Sequence, residues 1–360
     1  MLLILFASAC GNSNNGKDGP GPNIVRPTAS GEPRTTLIGL GSLPPQRTND
    51  AVLGAFATAA QYADVVLIQR TPPWEDFLPG GQESRATTDT TRLETALLKQ
   101  YRPLNLFYAI DPTDGAVQRT RIANLPAGID PQAGFADPRI RNAFLAYTAY
   151  VAKNYNPAYL AIGVEVNMIY ERSTPAQFES FVSLYKEAYD VAKGANPKIR
   201  VFPTFQLEVI EGSFGTAHPP HWEVIDPFRS KMDALAVSTY PYLGDARNAA
   251  EIRPDYLSQL RQHFAGEIII AETGYASAPI EGRVNAGTEE DQLAYLKRLL
   301  ADAEKNSFSL VVWTPALDPS FARGGTASSL RDSGLRRSDG SNKLAWAIWE
   351  DWVRRPIKRQ

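Results

Sequence analysis

The sequence predicts an α/β fold, a single barrel in which parallel strands alternate with helices, behind an unstructured N-terminal tether. Eight short apolar runs recur between Thr36 and Thr314, with little alternation of polar and apolar residues. Such runs are typical of parallel strands covered on both faces. Longer stretches with apolar residues at helical spacing lie between them. Eight strands, each followed by a helix, are characteristic of a (β/α)8 barrel, and 360 residues suffice for one.

The predicted strands are apolar and end beside polar or aromatic residues. They are Thr36–Gly41, Val65–Gln69, Leu104–Ile110, Tyr159–Val164, Arg200–Phe205, Ala234–Tyr240, Glu267–Glu272 and Ser309–Thr314. A doubly wound open sheet is the alternative, but it usually has fewer strands and a glycine-rich first turn. The segment GLGSLP after the first run lacks the full G-x-G-x-x-G spacing, so a dinucleotide site has weak support.

Helices are predicted where apolar residues recur three or four positions apart. They are Asp50–Ala63, Thr91–Gln100, Arg139–Asn154, Pro175–Ala195, Pro254–His263, Glu289–Lys305 and Lys343–Arg354. In the last of these, Leu344, Ile348 and Trp352 have four-residue spacing. Asp137 and Thr174 each precede a proline, which indicates a capping side chain followed by proline at the first helical position.

The N-terminus resembles a bacterial lipoprotein signal. Residues 1–9 form an apolar run that ends in small residues, and Cys10, the single cysteine, follows it. We therefore expect a signal peptide over 1–9, lipidation of Cys10, a flexible tether over 10–34 and a catalytic domain over 35–360. The expected location is the bacterial cell envelope. The run is short and no Lys or Arg precedes it, so a buried free thiol stays an alternative.

Composition argues against some classes of partner. The formal net charge of −2 and the isoelectric point near 6.0 disfavour binding to nucleic acid. His218 and His221 flank two prolines, but without a cysteine or a third histidine they favour substrate or solvent contact over zinc. Asp111 and Asp114 lie in DPTDG and are expected to form a turn. No metal and no cofactor are predicted.

Two carboxylates occupy equivalent places in the predicted barrel. Glu165 follows the fourth strand and Glu272 ends the seventh. Strand ends meet at the carboxyl face of a barrel, where active sites lie, so the two side chains can converge. Glycoside hydrolysis requires one protonated and one ionised carboxyl group, about 5.5 Å apart for retention or roughly 6.5 to 9.5 Å for inversion. The pair therefore predicts a glycosidase.

The strand ends also carry a family resemblance. The segments AIGVEVN, DALAVSTYPYLG, IIIAETGYAS and GLRRSDGSNKLAW resemble glycoside hydrolase clan A, most closely the endo-β-1,4-galactanase (arabinogalactan galactosidase) family and neighbouring endoglycanases. The resemblance implies Glu165 as acid/base and Glu272 as nucleophile, with retention through a glycosyl-enzyme. It also implies that Tyr240 donates to Glu272, that Trp313 lies under the sugar and that Arg70 keeps the nucleophile ionised.

One position departs from the clan pattern. The residue before the acid/base glutamate is usually Asn, which contacts the sugar 2-hydroxyl, and here it is Val164. Asn167 is a candidate substitute. Trp74 and Gln206 complete the predicted sugar contacts, because they too follow strands. Val164 indicates altered subsite chemistry, a different sugar or lost activity.

The predicted function is a secreted or surface-anchored glycoside hydrolase acting on a β-linked oligo- or polysaccharide. We expect a monomer that touches the membrane only through a lipid at Cys10 and binds no nucleic acid. Two alternatives stay open. One is an inactive polysaccharide-binding lipoprotein of the same fold. The other is a transporter's substrate-binding lipoprotein, which requires two α/β lobes joined by a hinge.

Overall fold

The computed structural model describes residues 24–115, 119–215, 217–321 and 330–358. Nine strands form one sheet: β1 (Leu37–Gly41), β2 (Val65–Arg70), β3 (Asn105–Ile110), β4 (Tyr159–Ile162), β5 (Arg200–Phe202), β6 (Thr204–Gln206), β7 (Ala234–Thr239), β8 (Glu267–Thr273) and β9 (Leu310–Trp313). All the pairings between them are parallel. Their order is β5-β4-β3-β2-β1-β9-β8-β7-β6.

The fifth predicted strand is divided by Pro203. Its first half, β5, pairs with β4, and its second half, β6, pairs with β7. Proline has no N–H to donate to a ladder, so it interrupts a strand that would otherwise pair on both sides. Since β5 and β6 lie at opposite ends of the strand order and adjoin through Pro203, the sheet is a nearly closed barrel. The predicted barrel is confirmed, and a two-lobed transporter fold is excluded.

Ten α-helices surround the strands in the described residues. They are α1 (Asn49–Tyr62), α2 (Trp74–Phe77), α3 (Arg85–Gln100), α4 (Pro138–Asn154), α5 (Asn167–Arg172), α6 (Pro175–Ala195), α7 (Leu207–Ile210), α8 (Leu260–His263), α9 (Glu289–Lys305) and α10 (Trp346–Arg354). Short 3-10 helices span Gly134–Ala136, Trp222–Lys231, Pro241–Leu243 and Ala249–Glu251. Asp137 and Thr174 cap α4 and α6, each with proline at the helix start, as predicted.

Three helices differ from their predicted bounds. Helix α3 begins at Arg85, earlier than predicted, because the Ser84 side chain caps it by accepting from the Thr87 N–H. The stretch predicted from Pro254 is helical only in α8. Helix α10 starts at Trp346 and buries its tryptophans, whereas Leu344 stays exposed ahead of it.

Residues 24–34 belong to the folded domain, which corrects the predicted end of the tether. Arg34 is buried, and its guanidinium donates from Nε to the Trp352 carbonyl at 2.9 Å. Its Nη1 lies 2.7 Å from Asp64 Oδ2. The more exposed Arg26 reaches Asp64 Oδ1 at 3.1 Å. The two arginines thus fasten this segment across the base of β1 and β2. The predicted signal peptide and Cys10 lie outside the described residues.

No helix among the described residues has the length and apolar character needed to cross a bilayer.

We predict that Arg34→Ala lowers the free energy of unfolding by about 3 kcal/mol, because it removes the buried partner of a buried carboxylate. Arg26→Ala is the matched control: it removes the more exposed partner of the same carboxylate and should cost below about 1 kcal/mol. Urea unfolding followed by circular dichroism measures both. Equal losses in the two variants would contradict the placement of residues 24–34.

Candidate active site

The chain turns sharply where β4 ends. Gly163 has φ +89°, and a Cβ there would lie 2.5 Å from the Phe181 ring. Glu165 follows with φ +51°, a conformation that residues other than glycine seldom adopt. Its backbone N–H donates to Thr204 Oγ1 at 2.9 Å, so β6 holds the turn in place. Strain of this kind concentrates at functional sites and aims the Glu165 side chain into the barrel mouth.

Arg119 connects Glu165 to the neighbouring strand. Its Nε donates to Glu165 Oε2 at 2.7 Å, and its Nη1 donates to Asp111 Oδ1 at 2.7 Å. The side-chain amide of Gln69 donates to the other oxygen of this carboxylate, Asp111 Oδ2, at 2.9 Å. Burial opposes the charge of Arg119, yet the two carboxylates raise its pKa above the ordinary value. Arg119 is therefore a fixed buried cation between two carboxylates.

Ser238 forms a hydrogen bond with the other carboxylate oxygen of Glu165. Its hydroxyl donates to Oε1 at 2.7 Å. In the β7–β8 register Ser238 is opposite Glu272, beside an irregularity that follows Val237. Glu165 is 4 % exposed, and both its oxygens accept hydrogen bonds, one of them from a cation. Arg119 therefore places a buried positive charge directly against the carboxyl group of Glu165.

Glu272 has the opposite surroundings. It is partly exposed, and Tyr240 donates to its Oε2 at 3.1 Å. Burial of the carboxyl group and the negative charge of Glu165 raise the pKa of Glu272 to about 8, despite the opposing effects of Arg119 and Tyr240. At neutral pH Glu272 therefore carries a proton. The two predicted catalytic residues meet in one electrostatic network.

A third carboxyl group, Glu208, holds Tyr240 in position. Its Oε1 accepts from the Tyr240 backbone N–H at 2.9 Å and from Thr239 Oγ1 at 2.7 Å. Tyr256 also donates to it. Burial raises the pKa of Glu208, and these hydrogen bonds partly offset that effect. Glu208 acts on the site through the Tyr240 backbone.

Two predicted site residues point away from the carboxyl pair. Arg70 forms an ion pair with Glu94 of α3, so the arginine that contacts a site carboxylate is Arg119. Trp74 is buried, and its indole N–H donates to the Ala123 carbonyl at 2.7 Å. Both predictions were wrong: Arg70 ends β2 with its side chain directed to α3, and Trp74 begins α2 and packs against Phe144 of α4.

Three further predicted sugar contacts have their polar groups engaged within the protein. The Asn167 amide donates to the Gln206 carbonyl at 2.9 Å and accepts from the Gln206 N–H at 2.8 Å. The Gln206 side chain binds Glu208 and caps α7 at the Val209 N–H. Trp313 is 0 % exposed, and its indole donates to the Ser333 carbonyl at 2.9 Å. None of the three presents a free surface to a sugar, which corrects their predicted roles.

The sequence analysis missed Arg119 and Ser238, and assigned Asp111 to a turn without its ion pair. Ser238 had a usable signal, since it is a polar residue inside an apolar strand, ALAVST. Arg119 had none, because it lies in a loop with no periodic pattern. Its role follows only from the loop folding back over β3.

No protein-family model matches the sequence, and no curated protein matches it. Solved structures with similar folds include glycosidases. An exo-β-1,4-mannosidase from Opitutaceae bacterium strain TAV5 has TM-score 0.68 and 15% identity, over 91% of this chain and 61% of its own. GH5_18 from Streptomyces cattleya, in complex with GlcNAc, has TM-score 0.63 and 18% identity, over 91% of this chain and 83% of its own. A Bifidobacterium longum GH5_18 variant in complex with Manβ1-4GlcNAc has TM-score 0.66 and 13% identity, over 90% of this chain and 80% of its own.

Two of these neighbours are GH5_18 proteins, and the chain shares their barrel fold. At these identities the likeness concerns the fold. The chain spans about three fifths of the mannosidase.

We predict that Glu272→Gln removes a pH dependence of stability. Because the folded pKa of Glu272 is raised to about 8, the wild type holds a proton that the unfolded chain releases at lower pH. Its stability should therefore fall as the pH rises from the unfolded pKa towards 8. The melting temperature across this range measures the effect, and the Gln variant should show a flatter profile. Parallel profiles would contradict a protonated Glu272.

Proposed function

We propose that the protein is a glycoside hydrolase that cleaves β-linked sugars with the pair Glu165 and Glu272. The observation that carries the proposal is the contrast between the two carboxyl groups: Glu165 is paired with Arg119 and Ser238, whereas Glu272 is held protonated. One carboxyl group beside a cation and a second with a raised pKa are the arrangement that acid-and-nucleophile chemistry requires.

The surroundings of the pair support roles opposite to those implied by the clan resemblance. Glu272 has the proton, one hydrogen-bond donor and access to solvent. Glu165 has a cationic partner and both oxygens in hydrogen bonds, so releasing and recovering a proton there would disrupt the Arg119 contact. We assign Glu272 as the proton donor and Glu165, with its cationic partner, as the nucleophile.

The reaction then proceeds in two steps. Glu272 gives its proton to the glycosidic oxygen, the bond from that oxygen to the anomeric carbon breaks, and Glu165 forms a bond to the anomeric carbon. Glu272, now ionised, takes a proton from water, which attacks the anomeric carbon and releases Glu165. The anomeric carbon therefore keeps its configuration. This retention is part of the proposal, and NMR of the first-formed product tests it.

The substrate class is a β-linked poly- or oligosaccharide. The motif resemblance favours β-1,4-galactan. The similar structures favour β-mannosides, since one is an exo-β-1,4-mannosidase and another holds Manβ1-4GlcNAc. In both kinds of substrate, the glycosidic bond that is cleaved is equatorial at the anomeric carbon. Aryl β-galactosides and β-mannosides are therefore the first substrates to assay.

A second candidate function is sugar binding without hydrolysis. It is favoured by Val164, which is buried where clan A places the Asn that contacts the 2-hydroxyl, and by the engaged side chain of Asn167. Hydrogen bonds to that hydroxyl strengthen in the transition state, so their loss affects the rate more than binding. Binding to β-glycans together with no turnover of any aryl glycoside would support this function over hydrolysis.

The role assignment predicts different kinetics for Glu272→Gln and Glu165→Gln. Without its acid, Glu272→Gln should lose turnover of poor leaving groups by about 100-fold or more. It should keep kcat/KM for dinitrophenyl glycosides, whose leaving group needs no proton, while kcat falls because the second step lacks its base. Glu165→Gln should lose both. Steady-state assays with leaving groups of graded pKa measure the difference.

Azide separates the two variants independently. It should restore Glu272→Gln by forming a β-glycosyl azide, because no basic carboxylate is needed for an anionic nucleophile. With Glu165→Gln it should form the α-azide. The reverse pattern would return the roles to the clan order and leave the hydrolase function intact. Inactivity of the wild type on all substrates would instead refute the function.

We also propose that the protein is anchored in the bacterial cell envelope through Cys10, on the strength of the lipoprotein-like sequence that precedes it. Mass spectrometry of protein from membranes should find an acylated N-terminal cysteine. Cys10→Ser should move the protein to the soluble fraction. An unmodified, soluble wild type would contradict the anchor.

A further inference from the structure

A second cluster of chemically capable side chains lies near the carboxyl pair. It consists of Glu171, His218 and His221, each of which offers one ligand atom, and these atoms lie within 4.8 Å of one another. Glu171 lies on α5, the helix that follows Glu165, and the histidines lie in the segment after α7. Helix α5 follows β4, and α7 follows β6. The cluster is therefore at the carboxyl end of the barrel, where ligands bind.

The backbone fixes both histidines. The His221 N–H donates to the Ile210 carbonyl at 2.8 Å, which returns the chain to the end of α7. Gly212 has φ +69°, and a Cβ there would lie 2.0 Å from the His218 carbonyl oxygen. Only glycine fits this close approach. The imidazole rings consequently stack, with centroids 4.1 Å apart and planes 17° apart.

The hydrogen bonds of His218 leave one nitrogen free for a ligand. Its Nδ1 lies 2.7 Å from the Pro219 carbonyl oxygen, which can only accept, so Nδ1 carries the hydrogen. In the neutral ring Nε2 then has a lone pair, and it lies 3.7 Å from Glu171 Oε2. Two acceptors thus face each other across a gap. A backbone carbonyl on the distal nitrogen is the arrangement that orients metal-binding histidines.

Glu171 and His221 complete the set. Glu171 Oε1 lies 2.7 Å from His221 Nδ1. The edge of Tyr170 packs against the His221 ring, with centroids 6.0 Å apart. The neighbouring cation, Arg172, lies over the Phe214 ring at 5.8 Å. The carboxylate of Glu171 therefore faces the histidines, and its charge favours a cation between them.

We propose that Glu171, His218 and His221 bind a divalent transition metal, with Zn²⁺ as the best fit. Two imidazoles and one carboxylate are a zinc ligand set, and three protein ligands leave one coordination position open. At the barrel mouth that position takes water or a sugar hydroxyl. The sequence predicted no metal because a third ligand was missing. Glu171, on α5, supplies that ligand. The metal site does not depend on the proposed hydrolase function.

Isothermal titration of Zn²⁺ into untagged, EDTA-dialysed full chain tests the site. The wild type should bind one equivalent with a rise in melting temperature. His218→Ala and His221→Ala should each weaken binding at least about tenfold. His263→Ala is the matched control, because His263 stacks on Trp222 at 3.7 Å and lies outside the cluster. It should bind as the wild type does.

Two further measurements guard against misfolding and stray binding. Glu171→Gln keeps the size of the side chain, so it should fold normally and still lose affinity. X-ray absorption of the zinc complex should show two imidazole ligands. Binding weaker than about 1 mM, or equal binding by wild type and the His218→Ala/His221→Ala double variant, would overturn the proposal.

Discussion

The site depends on one buried cation. Arg119 joins Asp111, at the end of β3, to Glu165, beyond β4, and it replaces the water that either carboxylate would otherwise need. Removing Arg119 would leave two buried negative charges unpaired, which is far more costly than losing an exposed ion pair. The negative charge of Glu165 contributes to raising the pKa of Glu272, whereas Arg119 lowers it. One guanidinium thus acts on both carboxyl groups.

A second polar network supports the other side of the pair. Glu208 is buried and accepts from Thr239, Tyr256 and the backbone of Tyr240, whose hydroxyl contacts Glu272. Since buried carboxylates are tolerated only with such partners, Glu208 rigidifies the end of β7. Rigid placement of the first contacts is what preorganised catalysis needs.

Much of the barrel could be predicted because its strands and helices are encoded locally. The apolar runs gave all eight strands to within two residues at either end, with one division that Pro203 explains. Capping residues fixed the starts of α4 and α6. Side-chain direction at strand ends was harder, because one residue of register decides between barrel interior and helix layer. Arg70 was misassigned for that reason, and Trp74, Trp313 and Asn167 because burial is a property of the neighbours.

The sequence by itself determined the fold class and the two glutamates at strand ends, since both are written in short-range patterns of apolar and acidic residues. Only the tertiary structure decided the partners of those glutamates, because Arg119, Ser238 and Tyr240 reach them from other parts of the chain. It also decided that Glu171 lies beside His218 and His221. Glu171 follows β4 in the chain, whereas the two histidines follow β6. Electrostatics and ligand sets depend on distances through space, and separation along the sequence does not encode them.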